Sequence, residues 1–245
     1  MTEYTRRGVL AALGAGMALS AGTTVAGADT HDRNQENVAR VVHLSPDAPA
    51  IDVHVDGELW FEGVEPLTLQ EGTTPAEPGT YDVAVVPTGE GVENALLETE
   101  TTVESGPSTL AALGEVCAVS GNEFDLVALT DDYSPPPSGQ ARLRAVHASP
   151  DTPAVDVMTE GGTMVAEGLS FGDSRTTAVP AGETVVAINA TDGKTIARFE
   201  IAPEAGRVYS AFGVGYQDPE SAPDAAPDGL GFSLAISEDA APGEQ

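Results

Sequence analysis

The feature that most constrains this chain is that it is written twice. Arg40-Val41-Val42-His43-Leu44-Ser45-Pro46-Asp47-Ala48-Pro49-Ala50-Ile51-Asp52-Val53 returns 104 residues later, without a gap, as Arg144-Ala145-Val146-His147-Ala148-Ser149-Pro150-Asp151-Thr152-Pro153-Ala154-Val155-Asp156-Val157. Only Val41, Leu44, Ala48 and Ile51 are replaced, by Ala145, Ala148, Thr152 and Val155. The echo continues more weakly, with Pro78–Val85 against Ala181–Ile188 and Phe124-Asp125-Leu126 against Phe232-Ser233-Leu234. Such a repeat means that one folding unit is built and then built again. The reading places a first module at 38–133, a linker at 134–140 and a second module at 141–238. The linker, Ser134-Pro135-Pro136-Pro137-Ser138-Gly139-Gln140, is held extended and stiff by its three prolines. Residues 29–37 and 239–245 read as polar tails, the second acidic.

Within each unit the hydrophobic pattern has period two. Ile51-Asp52-Val53-His54-Val55 alternates apolar and polar, as a half-buried strand does. Val53 and Val55 then face the core, and Asp52, His54 and Asp56 the polar side. Asp56-Gly57 supplies a two-residue hairpin turn, which needs positive φ at both positions, and Leu59, Trp60 and Phe61 begin the return strand. In the second copy Gly161-Gly162 takes the turn, and an ungapped alignment sets Met164 and Val165 against Trp60 and Phe61. Further strands are expected near Val41 and at Tyr81–Val86, Leu96–Val103, Thr109–Leu113 and Phe124–Leu129. No stretch past residue 28 sustains a helical period. The expected fold is therefore all-β: two tandem immunoglobulin-like β-sandwich modules of about seven strands each, a barrel being the alternative.

Charge excludes several functions. Of 245 residues 39 are acidic and 10 basic, for a formal net charge of -29, and Lys194 is the lone lysine. Nucleic-acid binding by counterion release needs clustered Lys and Arg, so no nucleic-acid partner is expected; an anionic membrane surface is excluded on the same ground. Acidity joined to lysine depletion resembles the proteins of salt-loving archaea, in which molar salt screens the self-repulsion. One cysteine, Cys117, rules out a disulfide framework and a thiolate zinc site; without a counterpart in the second copy it is expected to be a small buried residue.

Residues 1–28 read as an address. Arg6 and Arg7 stand as a pair before an uncharged Ala- and Gly-rich stretch, which ends at a small-x-small cleavage site, Ala26-Gly27-Ala28. Twin arginines ahead of a weakly apolar segment resemble a twin-arginine signal, a route that passes folded cargo. Its removal leaves 38 acidic and 8 basic residues. The expected location is extracellular or at the cell surface, with no membrane insertion after signal removal.

The run Arg-x-Val-His-x-Ser-Pro-Asp-x-Pro-x-x-Asp-Val, at the start of a β-rich module, resembles the family called domain of unknown function 4397. The resemblance extends over both copies, roughly residues 38–237. It implies an exported protein with tandem modules, and no established chemistry.

The repeated motif holds the candidate site residues. His43, Ser45 and Asp52, with His147, Ser149 and Asp156, contain the residue types of a hydrolase triad, but Ser45 precedes a proline and no Gly-x-Ser-x-Gly elbow is present. No catalytic residue is assigned. The leading expectation is a lock or a ligand-facing cluster made of His43, Ser45, Asp47 and Asp52 and repeated as His147, Ser149, Asp151 and Asp156. In the lock, Ser45 and Asp47 bond nearby backbone as turn formers do. His43, set on the polar face with Val42 and Leu44 inward, donates to Asp52. No metal centre and no cofactor are assigned; calcium is the alternative, for which Asp47, Asp52, Asp56, Asp151, Asp156 and Glu160 offer hard oxygen ligands. Trp60, the sole Trp, is expected to pack in the core. Gln217–Gly229 reads as a solvated acidic loop with no long counterpart in the first copy. Asn189-Ala190-Thr191 is the one Asn-x-Ser/Thr sequon, a candidate N-glycosylation site at a strand end. These readings point to a monomeric, non-catalytic surface protein that is adhesion-like or binds a surface ligand or envelope protein. An exported hydrolase and an envelope spacer are the alternatives.

Overall fold

The computed structural model of the chain describes residues 37–69 and 73–240. The expected signal, with Arg6, Arg7 and Ala28, lies outside the described residues. In the first module β1 (Val38–His43), β4 (Thr68–Leu69), β5 (Thr74–Pro75), β8 (Ser108–Leu113) and β9 (Asp125–Thr130) form one sheet, with the order β4-β1-β8-β9 and β5 also on β1. The second sheet runs β3 (Glu58–Val64), β2 (Ile51–Val55), β6 (Gly79–Pro87), β7 (Leu97–Val103). Its pairings are antiparallel, whereas β1 and β8 run parallel. The second module repeats the plan. One sheet is β13 (Ser174–Pro180), β10 (Gln140–His147), β16 (Val208–Val214), β17 (Ser233–Ala240); the other is β12 (Met164–Leu169), β11 (Val155–Thr159), β14 (Thr184–Ala190), β15 (Thr195–Ile201). The all-β sandwich expectation holds. The expected seven strands become two sheets of at least four, because two short strands, β4 and β5, edge β1, and β13 takes their place beside β10; none carries enough alternation to be read. The expected acidic tail begins inside β17, which runs on to Ala240.

Each core lies between the two sheets of its module. In the first, Ala39 and Val41 of β1, Leu110 and Ala112 of β8, and Ile51, Val53, Val55, Val83 and Val85 of the facing sheet pack together. In the second, Leu143, Ala145, Val155, Val157, Val186, Ile188, Ala211 and Leu234 do so. Cores built mainly of Ala and Val explain how so few aromatics suffice. The second encloses a cavity of about 30 Å³. Three of its lining residues, Ala145, Val155 and Ala211, are smaller than their counterparts Val41, Ile51 and Leu110.

The hairpins show where the repeat slips. Asp56 (φ 49°) and Gly57 (φ 79°) form the expected two-residue turn. In the second module Thr159 N–H donates to the Thr163 carbonyl at 2.9 Å, so the loop is Glu160-Gly161-Gly162, one residue longer. His54 therefore opposes Leu59, but Met158 opposes Met164. The true counterpart of Trp60 is Val165, not Met164. Leu59 and Met164 hold the same solvent-facing position, 48% and 42% exposed. Trp60 is half-buried, packed on the core and edge-on to Tyr81 with ring centroids 5.5 Å apart.

Candidate functional site

In the first module β1, β3, β6 and β8 finish, and β2, β7 and β9 begin, at one end of the sandwich. The motif residues collect there, and what they do follows from the strand geometry. Alternation places His43 on the same side as Ala39 and Val41, so the imidazole points into the core rather than onto the outer face, and it is fully buried. Val42 and Leu44 lie on the other face and are buried too. The expected outward histidine fails because β1 is a central strand covered on both sides, where facing cannot be told from polarity. Nor does His43 reach Asp52. Its Nε2 donates to the Pro49 carbonyl at 2.9 Å, and His147 does the same to Pro153 at 3.1 Å. A carbonyl only accepts, so Nε2 carries the proton. In the second module Nδ1 accepts from the Ser149 N–H at 3.3 Å. Burial holds both imidazoles below the ordinary histidine range; the bonds to Pro49 and Pro153, and the charges of Asp47 and of Asp173 and Asp151, oppose this only in part.

Three of the four motif aspartates, Asp47, Asp52 and Asp151, tie down a loop. The Asp47 carboxylate accepts from Val116 N–H at 2.9 Å and Cys117 N–H at 3.0 Å, one on each oxygen. Asp151 accepts from Gln217 N–H at 2.7 Å and Asp218 N–H at 2.8 Å in the same way. Ser45 Oγ donates to Asp47 at 3.2 Å, and Ser149 Oγ donates to the Gly215 carbonyl at 2.6 Å. Asp52 accepts from Gly63 N–H at 2.7 Å, Thr88 Oγ1 at 3.0 Å and Gly89 N–H at 3.2 Å. Desolvation alone would raise the pKa of Asp52; the donors from Gly63, Gly89 and Thr88, with nearby His54, outweigh it and hold the carboxyl below its usual range. Asp156 keeps only the bond equivalent to Gly63, from Gly168 N–H at 2.8 Å.

The clamped loops start from glycines that permit nothing else. Gly114 and Gly215 adopt φ of 86° and 78°, and a Cβ there would lie 2.1 Å from the Glu123 carbonyl oxygen and 2.5 Å from that of Gly231. Beyond them the tips differ. In the first module Val116 and Val119 are 42% and 61% exposed, and Val92, in the loop that Asp52 holds, is 48% exposed. Of the five large apolar side chains exposed among the described residues, three sit on these two loops. Cys117 is also exposed, contrary to expectation, on the loop whose backbone N–H groups turn in to Asp47. In the second module the loop that follows Gly215 is the longer, acidic Gln217–Gly229 segment, and the β14–β15 loop, counterpart of β6–β7, is a turn at Thr191–Lys194.

A second repeated network escaped the sequence reading. Arg40 Nε donates to Thr109 Oγ1 at 2.8 Å, and Thr109 donates to Asp131 at 2.8 Å. Arg144 Nε donates to Ser210 Oγ at 2.8 Å, and Ser210 to Asp239 at 2.6 Å. The arginine and hydroxyl are register partners on the parallel pair β1–β8 or β10–β16. Tyr133 adds an O–H donor to Asp131 at 2.7 Å. Arg40 and Arg144 open the repeated motif, which was the available signal; their partners lie 69 and 66 residues away with unequal spacing, which hid them.

Chemically the motif offers no presented nucleophile. Ser45 and His43 are sealed, and each histidine spends its Nε2 proton on a carbonyl instead of facing a hydroxyl. The oxygens of Asp47 and Asp151 face N–H donors, the wrong polarity for a cation. Among the described residues no three His, Cys, Asp or Glu side chains converge as metal ligands, and no helix is long and apolar enough to cross a membrane.

Fold and site together define a tandem β-sandwich protein in which a motif aspartate of each module, Asp47 or Asp151, clamps a loop at one end of its sandwich. Residues 38–158 match the family model described as Domain of unknown function (DUF4397). The match takes in the whole first sandwich, the linker and the second copy of the motif. No curated protein matches the chain.

Proposed function

We propose that this is an exported, non-catalytic surface protein that recognises an envelope component through the loop end of its first module. The second sandwich is read as a further copy of the same family domain. The observation that carries the reading is the use of Asp47 and Asp52. Both are spent inside the protein on fixing two loops of one end, and those loops leave Val92, Val116 and Val119 in solvent. Rigid loops on a β-sandwich lose little entropy on binding. In molar salt, where charges are screened to roughly 3 Å, apolar contact is the attraction that survives. The charge of -29, the lysine depletion and the twin-arginine pattern support a halophilic source and export across a membrane in the folded state.

The test uses washed cell envelopes from the native host in 3 M KCl. Mature protein should be retained, and a Val92→Asp, Val116→Asp, Val119→Asp variant should lose at least 10-fold in retention with its Tm unchanged, since all three side chains are exposed. Equal retention of variant and parent refutes the loop-end reading. Arg6→Lys with Arg7→Lys should leave the precursor inside the cell; normal export of that variant refutes the twin-arginine route.

A further inference from the structure

Asn189 occupies a position that the shortened loop of the second module has opened. In the pairing with the motif strand, Val86 stands opposite Asp52 and Asn189 opposite Asp156, so the two are counterparts. Val86 is fully buried, in the module where β6 continues into the long 88–96 segment with its 3-10 turn at Val92–Asn94 packed on that strand. In the second module that segment is reduced to the tight turn after Ala190, closed by Gly193 N–H on the Ala190 carbonyl at 2.8 Å. The position has become polar and half-exposed.

We propose that Asn189 carries an N-linked glycan that caps this end of the second module. Three features favour it. Thr195 Oγ1 donates to Asn189 Oδ1 at 2.8 Å, which fixes the amide, while Nδ2 makes no hydrogen bond and keeps both its protons. Thr191, the hydroxyl residue of the sequon, is exposed in the turn and bonds nothing. The sequon straddles a strand end and a surface turn, so it is reachable in a chain that is already folded when it crosses the membrane. The donor is a lipid-phosphate-linked oligosaccharide. Nδ2 forms a bond to the sugar C1, the C1–O bond to the carrier phosphate breaks, Nδ2 loses a proton, and the lipid phosphate leaves. A polar sugar chain then covers the face that a loop covers in the first module.

The inference rests on the export reading, so the test measures both at once. Protein purified from the native host is mapped by peptide mass spectrometry, reading its N-terminus and the peptide that contains Asn189. The expected result is a mature N-terminus near Asp29 and a hexose-containing mass increment on Asn189. Thr191→Ala should abolish the increment and Thr191→Ser keep it. Thr195→Val, which leaves the sequon intact but frees the amide, should lower occupancy several-fold. A mature N-terminus with Asn189 wholly at the bare mass overturns the glycan and spares export. An unprocessed N-terminus with bare Asn189 overturns both.

Discussion

Replacing Asp47 by Asn tests whether the motif works as a loop clamp. The change is isosteric, and it removes the charge and one of two acceptor oxygens. The carboxylate holds Val116 N–H at 2.9 Å and Cys117 N–H at 3.0 Å. A hydrogen bond to a charged group contributes about 1.5–3 kcal/mol and a neutral one about 1 kcal/mol. In the variant one bond becomes neutral, and the other is replaced by an amide N–H facing a backbone N–H. Residues 116 and 117 are exposed, so water can reach the freed backbone donor and offsets part of the loss. The net cost comes to about 2 kcal/mol, which for a module of this size lowers Tm by about 8–16 °C. The core is untouched, so the denaturant m-value should stay the same. Calorimetry in 3 M KCl gives the Tm, and amide hydrogen exchange shows whether the 114–124 loop is released. Asp151 repeats the geometry, so Asp151→Asn should cost the same within about 1 kcal/mol and should release the 215–232 loop instead. A Tm within 2 °C of the parent, with unchanged exchange at residues 116 and 117, would refute the clamp.

Three further outcomes are expected. Thr109→Val and Ser210→Ala remove the middle of the buried arginine–hydroxyl–aspartate relays and should each cost about 2–3 kcal/mol, while Thr109→Ser should restore most of it; a Tm unmoved by the Val and Ala changes counts against the relays as supports. Stability should fall as pH drops from 7.5 to 5.5. His43 and His147 are held neutral by burial, so the unfolded chain takes up protons first, below about pH 6.5, and each histidine withdraws up to about 1.4 kcal/mol per pH unit. Asp52, with its lowered pKa, adds a loss only at lower pH, below about 4. His43→Gln should flatten the profile, and a parent Tm that stays level or rises on acidification would contradict the assignment. Val155→Ile restores the residue of the first module beside the 30 Å³ cavity and should stabilise by about 0.7 kcal/mol, at roughly 24 cal/mol per Å³ of void filled; a drop in urea midpoint would show that the space cannot take the methyl group.

The sequence alone determined the duplication, the all-β character, most strands and the Asp56-Gly57 turn, because these rest on short-range facts: a period of two, a positive-φ dipeptide and an ungapped repeat. It also located the motif, since a run of identical residues in two copies is visible without coordinates. The tertiary structure decided what the motif does. Which face His43 takes could not be read from β1, where both faces are buried and polarity no longer alternates. The partners of Asp47 and Asp52 are mostly backbone N–H groups, which every residue has and which leave no mark in a sequence. The relays join residues more than 60 positions apart through a parallel strand pair, whose register is set only when the two sheets close on their core. The exposed valines, too, became distinctive only when the fold gathered two separate loops at the same end of one sandwich.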